Sequence, residues 1–188
     1  ESKITKKAID TENYYLCNKK LFVIEKQGEG SLKKSLVSVD LETGDTTNVI
    51  EGISKIVFFK DNKLVYKAKE KNTTNQQGGT VPTSPLATST KVADLTSLEI
   101  TDIGTGKMTI EGFMGNKVVY TVEAPNKYNK NLFVKSLGST EPAVLIEKNI
   151  YQFCQIVADK LFYYVGSSKN RMLININIEG TDRKNWTL

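Results

Sequence analysis

"DKLFYYVGSSKNRMLININIEGTDRKNWTL", residues 159–188, decides how the rest of the chain is read. A tight turn at Asp159 opens onto an apolar run that ends at Gly166. The polar turn "GSSKNR" leads to a second run, "MLININI", and a turn at Gly180 leads to a third. Large apolar residues alternating with polar ones, bounded by Gly, Asn, Asp and Ser, form the pattern of half-buried strands joined by turns.

The same pattern recurs upstream. "NKKLFVIEK" (18–26), "DNKLVYKAKE" (61–70), "GNKVVYTVEA" (115–124) and "ADKLFYYVG" (158–166) each show a turn, a lysine and an alternating run. After a polar gap each is followed by a strand, a glycine-bearing turn and another strand: "KSLVSVDLETGDTTNVI" (34–50), "TSLEITDIGTGKMTIEG" (96–112), "KNLFVKSLGSTEPAVLI" (130–146) and "RMLININIEGTDRKNWTL" (171–188). Glycine suits these turns because a tight hairpin needs positive φ. Between units lie further apolar runs, "ISKIVFF" (53–59) and "IYQFCQIVA" (150–158), with a clipped version around "FMG" (113–115). The equivalent residues Leu21, Leu64, Val118 and Leu161 are spaced by 43, 54 and 43 residues. A period in the forties with four strands per repeat predicts β-propeller blades, since one four-stranded sheet cannot bury both faces alone.

The reading is therefore all-β: one β-propeller domain over 1–188, with about four four-stranded antiparallel blades at 10–52, 53–112, 113–149 and 150–188. The excess in the 54-residue spacing falls in "KNTTNQQGGTVPTSPLATSTK" (71–91), which has no periodicity and reads as a flexible insertion. "KITKKAI" (3–9) reads as the last strand of a preceding blade. With Glu1 rather than Met at the start, the chain is expected to be an excerpt of a larger propeller, or half of a ring closed by a second copy.

Leu161, Phe162, Tyr163 and Tyr164, followed by Ile176, Ile178, Gly180, Thr181 and Asp182, resemble a blade of the lipoprotein-receptor-like (YWTD-like) propellers. The likeness is to the bacterial branch, usually described as a domain of unknown function, and the first three repeats match it more loosely. The resemblance implies a surface or extracellular module of a bacterium, a setting that the Lys-, Asn- and Ile-rich composition also suits.

The chemistry legible in the chain is mostly exclusion. There is no histidine, which removes the Ser-His-Asp and Cys-His nucleophile systems and His-ligated metals from this segment. Two cysteines, Cys17 and Cys154, are too few and too separated for a metal cluster and read as small buried hydrophobes. The acids of "DLETGD" (40–45) lack the alternate-oxygen spacing of a calcium loop and read as a turn. Net charge is +5, yet the lysines are scattered and only Arg171 and Arg183 are arginines, which argues against nucleic-acid binding. No run approaches the length of a membrane-spanning helix, so no direct membrane insertion is expected. Tyrosines inside strands, and Trp186, read as wedge filling between blades.

In propellers the connections from second to third strand, and from one blade to the next, emerge on one face. The 71–91 insertion, "EAPNKYNKN" (123–131) and "GSSKNR" (166–171) fall there, which makes Gln76, Gln77, Tyr128 and Arg171 the candidate binding residues. The reading of function is a non-catalytic module that presents this face to a protein or glycan partner, with no catalytic residue, metal or cofactor. Two alternatives stay open: the propeller portion of a carbohydrate-active enzyme, with acids such as Glu99, Asp102, Glu111 and Asp159, and a purely structural homo-oligomerisation unit.

Overall fold

The computed structural model describes residues 14–26, 34–69, 88–125 and 128–187. The chain divides into two compact units, Glu1–Gly104 and Thr105–Leu188. In the first, β1 (Tyr14–Cys17), β2 (Lys20–Lys26), β3 (Lys34–Asp40), β4 (Thr46–Lys60), β5 (Lys63–Lys69), β6 (Thr88–Asp94) and β7 (Ile100–Thr105) pair in chain order. In the second, β8 (Met108–Met114), β9 (Lys117–Glu123), β10 (Lys130–Ser136), β11 (Val144–Val157), β12 (Lys160–Gly166), β13 (Arg171–Asn177) and β14 (Lys184–Thr187) do the same. Among the described residues no helix is long and apolar enough to cross a membrane.

Each seven-stranded sheet is two four-stranded blades that share a long strand. Residues 46–53 of β4 pair with β3 and residues 53–60 pair with β5. β4 is thus the last strand of one blade and the first of the next, and β11 plays the same part in the second unit. The change of partner happens at a corner, where Gly52 (φ 73°) precedes Ile53 and Asn149 (φ 57°) precedes Ile150. Glycine and asparagine are the residues that visit the left-handed region at least cost. Both isoleucines are fully buried.

Alternation then assembles a core inside each unit. Phe22, Ile24, Leu36 and Ile50 of one blade cluster with Leu64, Tyr66, Ala93 and Leu95 of the next, around Ile53. Val119, Leu132 and Val134 cluster likewise with Leu161, Tyr163, Ile174 and Ile176, around Ile150. Tyr66 and Tyr163 stand at the same place in their units, and burying a ring of that size contributes roughly 1.5–3 kcal/mol. Burial pushes the Tyr66 phenol up to about 12, with the charge of Asp102 adding to the effect. Burial, then the charge of Glu147, pushes the Tyr163 phenol upward as well.

Tyr163 also carries a polar tie. Its hydroxyl donates to Glu147 Oε2 at 3.1 Å, and Arg183 pairs with the same carboxylate oxygen. Glu147 lies opposite Leu132 of β10 in one blade, whereas Tyr163 and Arg183 belong to the next. Tyr163→Phe should cost about 1.5–3 kcal/mol in urea unfolding, as expected for a hydrogen bond to a charged group. Glu147→Ala should cost more, because it strands both partners, and a double-mutant cycle should show the two changes to be non-additive.

The lysine that opens each repeat now has a reason. Lys63 lies 3.6 Å from Asp94, Lys160 lies 2.9 Å from Asp182, and Lys19 lies 2.6 Å from Glu42, while Lys117 pairs with Glu179. Each acid sits in or beside a turn between third and fourth strands; Lys19, Lys63 and Lys160 reach that turn of their own blade, whereas Lys117 reaches Glu179 in the turn of the next. The turns themselves are closed by side-chain oxygens. Asp40 Oδ1 accepts the backbone N–H of Glu42 (2.9 Å) and of Thr43 (3.1 Å), and Asp94 Oδ1 accepts that of Thr96 (2.8 Å). The "DLETGD" acids are turn acids in this structure.

Those amide bonds hold the Asp40 carboxyl below its ordinary 3.8, and Lys160 does the same to Asp182. A depressed folded-state pKa contributes stability that is complete above about pH 4 and is lost as pH falls through the folded value. Asp40→Asn keeps the accepting oxygen and removes the titration. Its melting temperature should match the parent near neutrality and decline less steeply below about pH 4.

Four expectations are revised. Residues 108–112 pair with β9 as part of β8, not with the preceding blade, so the third blade has a full first strand and the "FMG" run is not clipped. The fourth strand of the second blade is β7, and its third, β6, begins at Thr88, inside the stretch expected to be a loop. Trp186 is 52% exposed, because β14 pairs on one side only, with β13, among the described residues. Cys17 is buried, but Cys154 is exposed on β11, and both thiols are free. The "KITKKAI" strand lies outside the described residues.

Candidate functional site

The corner of β11 gathers the loops of the second unit. Ile150 stands opposite Lys130, the first residue of β10, and also opposite Val165, next to the last residue of β12. The connection from β9 to β10 and the connection from β12 to β13 therefore both open beside one residue. Asn131 fixes the corner further, its Oδ1 accepting the Asn149 backbone N–H at 3.1 Å.

The turn "GSSKNR" then places Arg171. The Ser167 N–H donates to the Asn170 carbonyl at 3.0 Å, and the Asn170 N–H donates to Ser167 Oγ at 3.3 Å. Gly166 has φ 99°, and a Cβ there would lie 2.2 Å from the Asn170 carbonyl oxygen, so no other residue fits. Arg171 faces Gly166 across the strands, with its guanidinium 5.6 Å from the Tyr164 ring centroid and 5.8 Å from that of Tyr151. Each such contact is worth about 0.5–1 kcal/mol at an exposed site, so two of them hold the side chain in place.

Tyr128, on the neighbouring connection, is 88% exposed. Lys130, Lys148 and Lys169 stand at the same end, and among the described residues none of them has an acidic partner. Glu123 at this end pairs with Lys107 at 3.5 Å, and Glu147, next to Lys148, is engaged by Arg183 and Tyr163. Of the expected binding residues, Tyr128 and Arg171 are thus brought to one end of one unit. Gln76 and Gln77 lie outside the described residues.

Tyr151, Lys130 and Lys148 were not singled out by the sequence. Tyr151 sits at the register shift of β11 between Ile150 and Gln152, an irregularity that no local pattern in the sequence marks. Two of the acids weighed as catalytic groups have side-chain partners. Asp102 pairs with Lys91 at 3.6 Å, and Glu111 accepts the Thr121 hydroxyl at 2.7 Å.

No protein-family model matches the chain, and no curated protein matches it. Solved structures do. The chain is similar to the β-propeller domain of the trilobed protease from Pyrococcus furiosus, with TM-score 0.53 and 15% identity over 89% of this chain and 52% of that one. It is similar to a prolyl endopeptidase (TM-score 0.54, 12% identity, 94% of this chain and 28% of that one). A third likeness is to acylaminoacyl peptidase from Pyrococcus horikoshii (TM-score 0.50, 14% identity, 90% and 30%). The fold is a β-propeller. The chain spans about half the length of the trilobed-protease propeller and under a third of the two peptidases.

Gly166→Ala should destabilise the protein by about 1–3 kcal/mol in urea unfolding, the range for a forced backbone conformation. It should also change the tyrosine near-ultraviolet circular dichroism, because Arg171 moves with its turn.

Proposed function

We propose that the chain is a non-catalytic binding module that presents the corner end of its blades to a protein or glycan partner at a bacterial cell surface. The observation that carries this reading is the Arg171 guanidinium set over Tyr151 and Tyr164 beside the exposed Tyr128. Arginine and tyrosine are enriched in recognition hot spots, and the two rings hold the Arg171 side chain before any partner arrives, which lowers the entropic cost of binding. The surface location rests on the likeness of residues 161–182 to lipoprotein-receptor-like blades.

A second reading, the propeller portion of an enzyme, is supported by the similarity to peptidases that carry propellers. The acids Glu99, Asp102, Glu111 and Asp159 would then be the groups to examine for carbohydrate chemistry.

A combined peptide and glycan array probed with labelled protein separates the two. Binding that falls at least about tenfold in Arg171→Ala and in Tyr128→Ala, with folding intact, is the expected result. Turnover of aryl-glycoside or peptide substrates that a single change such as Glu111→Gln abolishes would sink the non-catalytic reading.

A further inference from the structure

The two ends of the second unit treat their positive charges differently. At the turn end Lys117 pairs with Glu179 and Lys160 pairs with Asp182, and Lys135 reaches the carbonyl of Glu141 at 3.3 Å. At the corner end Lys130, Lys148, Lys169 and Arg171 have no acidic partner among the described residues, and Lys107 occupies Glu123. The other arginine, Arg183, is satisfied by Glu147. The turn end interleaves its cations with Glu141, Asp159, Glu179 and Asp182, whereas four cations at the corner end have no acidic partner among the described residues, which makes that end an anion-seeking surface.

The chemistry of the anion follows from what Arg171 leaves open. Its guanidinium already covers faces of Tyr151 and Tyr164, so those rings have less surface for stacking on a sugar ring or a nucleobase. What remains are guanidinium N–H edges and ammonium groups, which suit carboxylates, the former in a bidentate fork. Tyr128 adds an exposed aromatic anchor of the kind enriched in protein interfaces. Building on the binding-module reading above, we propose that the corner end of the second unit recognises an acidic segment of a polypeptide, its carboxylates meeting Arg171, Lys148, Lys130 and Lys169.

The test uses the whole chain and three labelled probes: a short peptide alternating Glu and Gly, its Gln counterpart, and an oligogalacturonate. Fluorescence anisotropy at low salt should show binding of the Glu peptide and none of the Gln peptide. Affinity should fall steeply as salt rises toward physiological strength, where screening acts within about 8 Å. Arg171→Ala and Lys148→Glu should each weaken binding about tenfold or more, whereas Lys55→Glu in the first unit should leave it unchanged. Parent-like melting temperatures would establish that the variants are folded.

Equal binding of the Gln peptide overturns the charge argument. Oligogalacturonate binding with the same Arg171 dependence, and no binding of the Glu peptide, overturns the polypeptide assignment and leaves the binding-module reading standing. Absence of binding to both acidic probes overturns the inference, and the peptide and glycan array then decides the module reading by itself.

Discussion

Everything in each unit depends on one strand serving two sheets. A strand that gives its first half to one neighbour and its second half to another must change sides partway, and the residue at the change is paired on both flanks. Ile53 and Ile150 occupy that place, each fully buried, each preceded by a residue in the left-handed region. A four-stranded sheet alone leaves a face uncovered. The corner turns the next sheet so that its apolar side covers that face, which is why both core clusters are centred on these isoleucines. The Glu147 tie to Tyr163 and Arg183 adds a polar link of the same sense, from the last strand of one blade to the body of the next.

The corner also sorts the connections. The turns that carry the lysine pairs and side-chain caps stay at one end of the blades, where the backbone is held by local hydrogen bonds. The connections from β9 to β10 and from β12 to β13 open beside the corner of the second unit. In the second unit this puts Tyr128, Tyr151, Tyr164 and Arg171 at one end, the tyrosine rings and the turn at Gly166 holding the guanidinium in a defined place. Scaffold and variable connections are thereby separated along the length of the strands, the arrangement in which loops vary most cheaply.

Much of this was legible in the sequence because strand periodicity and turn residues are local signals. The alternation in "KLFYYVG" and the turn residues that follow it need no distant information. Where reading failed, the deciding interaction was long-range. Residues 108–112 alternate equally well as the end of one blade or the start of the next, and only the pairing with β9 assigns them. Trp186 has the composition of a core residue, yet on a strand paired at one edge it stays half open. Cys154 alternates within β11 onto a face that is exposed.

Arg171 illustrates both sides. Its position in a turn-to-strand junction followed from "GSSKNR", as did its place on the loop-bearing face. That Tyr151 and Tyr164 would lie beneath it, and that Arg183 would instead be consumed by Glu147, could not be read from the chain, since those neighbours come from other strands. The sequence by itself determined most of the strands, their turns and the number of repeats, because each depends on residues a few positions apart. Tertiary structure alone decided which strand closes which blade and which charges are neutralised, because those outcomes are set by pairing between strands far apart in sequence.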